Sequence, residues 1–109
     1  METRRLGKTG YSTSIITFGS FALLEASEKE AGATIEKVLE RGINHFDVSP
    51  MYGRAEEHIG AWIKRNGKNF TLGCKTIERT KEKVWESINT SLEKLHLDKE
   101  ERERFYHWL

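Results

Sequence analysis

An α/β fold built on a parallel sheet is what this sequence predicts, on three observations. Short apolar runs alternate three times with amphipathic segments, the order expected of βαβ units. A single cysteine, Cys74, excludes an intrachain disulfide and with it a small stapled scaffold, and it suits a reducing compartment. The 109 residues are 37% hydrophobic, enough for one domain with a modest core.

The charge balance and the hydrophobic pattern exclude other classes. With 18 basic and 17 acidic side chains the net charge is +1, so no nucleic-acid partner is expected. The most apolar stretch, Ile15 to Leu24, is interrupted by Thr17, Gly19 and Ser20 and falls short of the ~18 residues of a membrane span. It also lacks the cleavage site of a signal peptide. The expectation is a soluble, cytoplasmic protein with no membrane partner.

Each element has its own local reasons. Residues Arg4 to Gly7 and a strand from Ser14 to Phe18 flank a Lys8-Thr9-Gly10 turn and are expected to form a small hairpin. Ser27 to Arg41 reads as a helix. Ser27 and Glu30 stand in capping-box spacing, Ile35, Val38 and Leu39 share a face, and Gly42 sits just past the end. Ile43 to Val48 follows as a strand, and Pro50-Met51-Tyr52-Gly53 makes a loop that no central strand would tolerate. Glu56 to Arg65 repeats the helical pattern with Ile59, Trp62 and Ile63 on one face and stops at Asn66-Gly67; Phe70 to Lys75 is strand-like.

The third helix starts from a Thr80 cap, carries Val84, Ile88, Leu92 and Leu95 at helical spacing, and places Glu82 and Glu86 near its positive end. After it, the run from Asp98 to Arg104 is too charged for a buried parallel strand. Either the helix continues through it as a solvated segment, or the chain departs from the regular βα pattern there.

In a parallel α/β architecture the ligand site forms at the C-terminal ends of the strands. That rule selects Phe18, Gly19 and Ser20 after the first strand, Asp47 with Tyr52 just beyond the second, and Lys75 at the end of the third. A carboxylate beside a lysine keeps the ammonium charged, and a charged ammonium near a phenol favours phenolate. Tyr52 could then protonate a developing alkoxide, which suits carbonyl reduction by a hydride that only a cofactor can carry. Singly, each residue has an ordinary reading: Asp47 as a loop cap, Tyr52 as a cover over the core, Lys75 as a strand-end charge. Their joint position at successive strand ends favours chemistry.

At these residues the chain resembles a known family. Asp47-Val-Ser-Pro-Met-Tyr52-Gly53, with Lys75 ending the next strand, is similar to the active-site signature of the aldo-keto reductases. So are Arg5-Leu-Gly-Lys-Thr-Gly10, Phe18-Gly19, Glu40-Arg-Gly-Ile-Asn-His-Phe-Asp47 and Val84-Trp85-Glu86-Ser87. The resemblance runs from residue 2 to about 98. It implies a (β/α)8 TIM-like barrel whose bottom is plugged by the N-terminal hairpin, binding NADPH without a Rossmann fold and reducing aldehydes or ketones. Tyr52 would be the proton donor, tuned by Lys75 and Asp47. Gly19 and Ser20, with Asp47, would lie beside the nicotinamide, and Phe21 with Tyr52 would wall the substrate pocket.

Two departures qualify what is implied. The family histidine ends an apolar fourth strand, whereas here Tyr106-His107-Trp108-Leu109 follows the charged run, so His107 is a candidate for that place. A whole barrel takes roughly 250 residues, so this chain supplies the hairpin and about three βα units, one partial, truncated domain. Residues 1–97 are family-like, and 98–109 form a divergent charged and aromatic tail. The alternative to an enzyme is a half-barrel module that forms a homo-oligomer, or packs on a partner, to cover its open sheet edges. A doubly wound binding module also fits the alternation, but the acidic cluster it would need at the strand ends is reduced to Asp47.

The remaining candidates read as structural. Cys74 alternates away from Lys75 and is expected to face the helix layer as a small apolar residue. His45, His58 and His96 share no metal-ligand spacing, Trp62 and Trp85 suit packing, and Gly7, Gly10 and Gly19 do not make a phosphate loop.

Overall fold

The computed structural model describes residues 1–102. Strands β1 (Thr3–Arg5) and β2 (Ser12–Ser14) form an antiparallel hairpin in which Thr3 pairs with Ser14 and Arg5 with Ser12. Leu6 N–H closes the loop onto the Tyr11 carbonyl at 2.9 Å, and Gly7 and Gly10 take the positive φ that the reversal needs.

A separate parallel sheet runs in the order β3 (Phe18–Gly19), β4 (His45–Asp47), β5 (Thr71–Gly73), with Gly19 opposite Asp47 and Asp47 opposite Gly73. Helices α1 (Glu28–Glu40) and α2 (Ala55–Asn66) connect the three strands, and α3 (Lys81–Lys94) follows β5. Hairpin, parallel strands and outer helices make a partial TIM-like barrel, without closure. No helix among the described residues is long and apolar enough to cross a membrane.

Local sequence accounts for the helix ends. The Ser27 side chain accepts from Glu30 N–H while the Glu30 carboxylate accepts from Ser27 N–H, a complete capping box, and these bonds hold the Glu30 carboxyl below its usual range. Thr80 caps α3 by accepting from Lys83 N–H. Tertiary packing then fixes the arrangement. Phe46 is fully buried between an edge-on Phe18 and a stacked Phe70, and joins Ile35 of α1 and Ile59 of α2 in one core. Because side chains alternate along a strand, burying Phe46 sends His45 and Asp47 to the other face.

Two expectations are corrected. The strand expected from Ser14 to Phe18 is broken at 15–17, where the Ser14 hydroxyl donates to the Ile16 carbonyl and the chain bends from the hairpin into β3. Ile15 and Ile16 are consequently half-exposed rather than buried. Trp85 likewise lies on the outer face of α3, 55% exposed, rather than in the packing where it was expected.

The charged run resolves as a departure from the βα pattern. α3 stops at Lys94 with a Schellman-type end, in which His96 takes φ 53° and donates to the Glu93 carbonyl while Leu97 N–H reaches the Leu92 carbonyl. Asp98 then caps a new helical turn over residues 99–102 by accepting from Glu101 N–H at 2.8 Å. That turn is tied down where Glu101 pairs with Lys68 at 3.2 Å.

Candidate active site

The sheet rim is built by two strand ends and one loop. β4 delivers Asp47, and the next residue, Val48, donates its N–H to the Gly73 carbonyl, so the strand is held to its end. The chain then folds into two linked turns, with Tyr52 N–H on the Ser49 carbonyl and Ala55 N–H on the Tyr52 carbonyl. Gly53 follows at φ +55°, and a Cβ there would come within 2.6 Å of the Leu24 carbonyl. Glycine is therefore required twice over, by its dihedral and by its neighbour. Lys75 leaves the end of β5 two residues past Gly73.

The three side chains expected at the rim meet there. Lys75 Nζ donates to Asp47 Oδ2 at 2.8 Å and to the Tyr52 hydroxyl oxygen at 3.2 Å. It also lies 5.1 Å from the centre of the Tyr52 ring. The Asp47 hydrogen bond first, then the Tyr52 one, raise the Lys75 ammonium above its ordinary range. Phe21 packs edge-on against the Tyr52 ring, centroids 5.3 Å apart, and is itself 61% exposed.

The other expected residues take distinct places. Gly19 is exposed beside Asp47, with no heavy atom within 4 Å of where a Cβ would stand. Ser20 is wholly buried, and its hydroxyl donates to the Asp47 carbonyl at 2.6 Å, so it lies inside the rim and not on its surface. His107 lies outside the described residues. Cys74 is packed against the core, and burial, helped by the charges of Glu56 and Asp47, pushes its thiol up to about 12. Among the described residues no cluster of three or more His, Cys, Asp or Glu could hold a metal.

Sequence reasoning missed two supports. His58, read as an ordinary helix residue, is buried and donates through Nε2 to the Ala26 carbonyl at 2.8 Å. Glu56 is buried in the first turn of α2, where the helix dipole favours a carboxylate, and its Oε2 has no hydrogen-bond partner among the described residues. The usable signal for both was their place within the first four residues of a helix that follows the loop bearing Tyr52.

Chemically, the rim can hold and release one proton. Tyr52 oxygen accepts from Lys75, which leaves its own O–H to donate outward. Asp47 keeps the ammonium charged, so the positive charge stays beside the oxygen from which a proton would leave.

Comparison with known proteins follows the same residues. A sequence model described as the aldo/keto reductase family matches residues 15–101. An L-galactose dehydrogenase from Arabidopsis thaliana is 34% identical over an alignment spanning 90% of this chain and 35% of that protein. A pyridoxal 4-dehydrogenase from Microbacterium luteolum is 30% identical over 68% of this chain and 23% of its own. A solved structure from Pseudomonas aeruginosa, assigned to the aldo-keto reductases, superposes with a TM-score of 0.78 at 25% identity, covering 88% of this chain and 42% of that one. The chain thus spans about a third or less of the length of these curated relatives.

Proposed function

This chain belongs to the aldo/keto reductase family, and we propose that it is the N-terminal portion of an NADPH-dependent reductase that converts aldehydes or ketones to alcohols. One observation carries this reading: a single ammonium, Lys75, donates both to Asp47 and to the Tyr52 hydroxyl. As negative charge grows on the carbonyl oxygen of the substrate, Tyr52 passes its proton to that oxygen. The phenolate left behind is stabilised by the Lys75 ammonium, which Asp47 holds in its charged form. The hydride is what NADPH supplies when bound, because no side chain carries one.

The residues present fit a flat ring at the rim. Open space at the Cβ position of Gly19 lets a ring approach the backbone next to Asp47. Gly19 and Asp47 make that contact, with Ser20 directly behind them, while exposed Phe21 and Tyr52 wall the carbonyl substrate. His107 is the candidate for the family histidine of the site. A free thiol at Cys74 agrees with a reducing, cytoplasmic setting.

The test is a fluorescence titration of the purified chain with NADPH, followed by turnover of a model aldehyde. Tyr52→Phe is expected to keep cofactor binding and lose about 10²- to 10⁴-fold in turnover, the usual worth of a positioned acid. Turnover equal to the parent would overturn the reading.

A second reading, a non-catalytic half-barrel that self-associates, is favoured by the sheet itself. Among the described residues β3 and β5 each have one strand neighbour, and β4 has two. Light scattering on the same sample separates the two readings: a monomer that turns over NADPH removes the second.

A further inference from the structure

The segment after β3 is fastened to the end of β4, the loop after it and the start of α2 at four successive points. The Ser20 hydroxyl reaches the Asp47 carbonyl, the Phe21 ring meets the Tyr52 ring, the Leu24 carbonyl fits against Gly53, and the Ala26 carbonyl accepts from His58. The partners run in the same order on both sides, so residues 20–26 lie along residues 47–58 like a splint. Of the four contacts, the first reaches the backbone of the carboxylate that holds Lys75, and it is made by a fully buried side chain. Ser20 is fully buried, and its bond to the residue 27 positions away is 2.6 Å long.

We infer that Ser20 is a positioning residue: its hydroxyl fixes the backbone at Asp47 and so sets where the Asp47 carboxylate receives Lys75 and where Lys75 meets Tyr52. The inference rests on the proton-delivery reading above. The physical argument is one of leverage. Asp47 is the last residue of β4, paired with Gly19 and Gly73 and followed by Val48 bonded to Gly73, so the loop bearing Tyr52 starts one residue beyond it. The Asp47 side chain is 38% exposed and that of Lys75 is 42% exposed, so in water the pair itself holds neither group in one geometry. A hydrogen bond from the buried Ser20 side chain to the Asp47 carbonyl supplies that constraint from within.

The experiment measures acylation of individual lysines in the purified chain by limiting acetic anhydride at pH 9, mapped by peptide mass spectrometry. The readout is the rate at Lys75 relative to exposed Lys64 on α2. Only the neutral amine reacts, so loosening the Asp47 contact raises the ratio. Asp47→Asn is expected to raise it about tenfold, and Ser20→Ala about threefold or more. Ser20→Cys keeps the shape but donates weakly, and is expected to shift the ratio in the same direction. A parent-like ratio in both Ser20 variants, while Asp47→Asn raises it, would overturn the positioning role and leave the trio standing. Acceleration of Lys75 and of Lys68, sheltered by its pair with Glu101, alike would also overturn it, since general loosening of the fold frees both. An unchanged ratio in Asp47→Asn would overturn the trio, and this inference with it.

Discussion

One strand, β4, has two ends that treat polar side chains in opposite ways. At its N-terminal end Asn44 is fully committed: its side chain accepts from Ser14 N–H and donates to the Ser12 carbonyl, and its own N–H goes to the Ser14 hydroxyl. His45 is spent on Thr71, 2.6 Å away across the sheet. The Asn44 bonds dock the hairpin onto the sheet, and the His45 bond ties β4 to β5. At the C-terminal end Asp47, Tyr52 and Lys75 satisfy each other through one ammonium and leave the Tyr52 O–H able to donate. Polar groups at the bottom close the structure, and polar groups at the rim keep one bond in hand.

The contrast can be broken from the middle first. Phe46→Ala, between the two ends, is expected to cost about 3–5 kcal/mol, as for other buried aromatic truncations, and to abolish a cooperative urea transition in a domain this small. A midpoint close to the parent's would mean that the Phe18–Phe46–Phe70 stack is not the core's anchor. Asn44→Ala at the bottom is expected to cost less, about 1–3 kcal/mol, because it strands partly buried donors and acceptors of the hairpin. Thermal melts of the two variants give the order directly. Lys75→Ala at the rim is expected to change stability at neutral pH by about 0–1 kcal/mol, the range of exposed pairs, while weakening NADPH binding.

The pH dependence sharpens the last case. Lys75 is raised above 10.5 in the folded chain, so its contribution to stability is fully present below the unfolded value and is lost as pH rises through the higher folded value. Parent and Lys75→Ala melts are therefore expected to converge above pH 10.5, and to keep their small gap below it. A gap that widened with pH would contradict the raised lysine.

Much of this was legible in the sequence, and the misses have a common cause. Ser27 with Glu30 and Thr80 with its following turn are signals written within three residues, and both caps form as read. The core strands were placed by apolar runs, though each pairs over fewer residues than its run. Asp47, Tyr52 and Lys75 were found because strand order alone places them at one rim. By contrast, the burial of Ser20 depends on a partner 27 residues away, and that of His58 on one 32 residues away. Ile15 and Ile16 look like core but lie at the bend where hairpin becomes sheet, so their hydrophobicity says nothing of their exposure. The charged run could not be placed until the ends were known: Asp98 starts a helical turn because its side chain reaches Glu101 N–H, a bond that three-residue spacing permits but does not require.

The neighbour of Lys75 has a use of its own. Cys74 is the one thiol in the sequence, and in the folded chain it is half-buried against the core, where burial keeps it protonated. Opening of the rim exposes it further, so its rate of modification by a disulfide reagent rises with the frequency of those openings. The chain thus carries, one residue from the ammonium that joins Asp47 and Tyr52, a gauge of how often that ammonium is out of place.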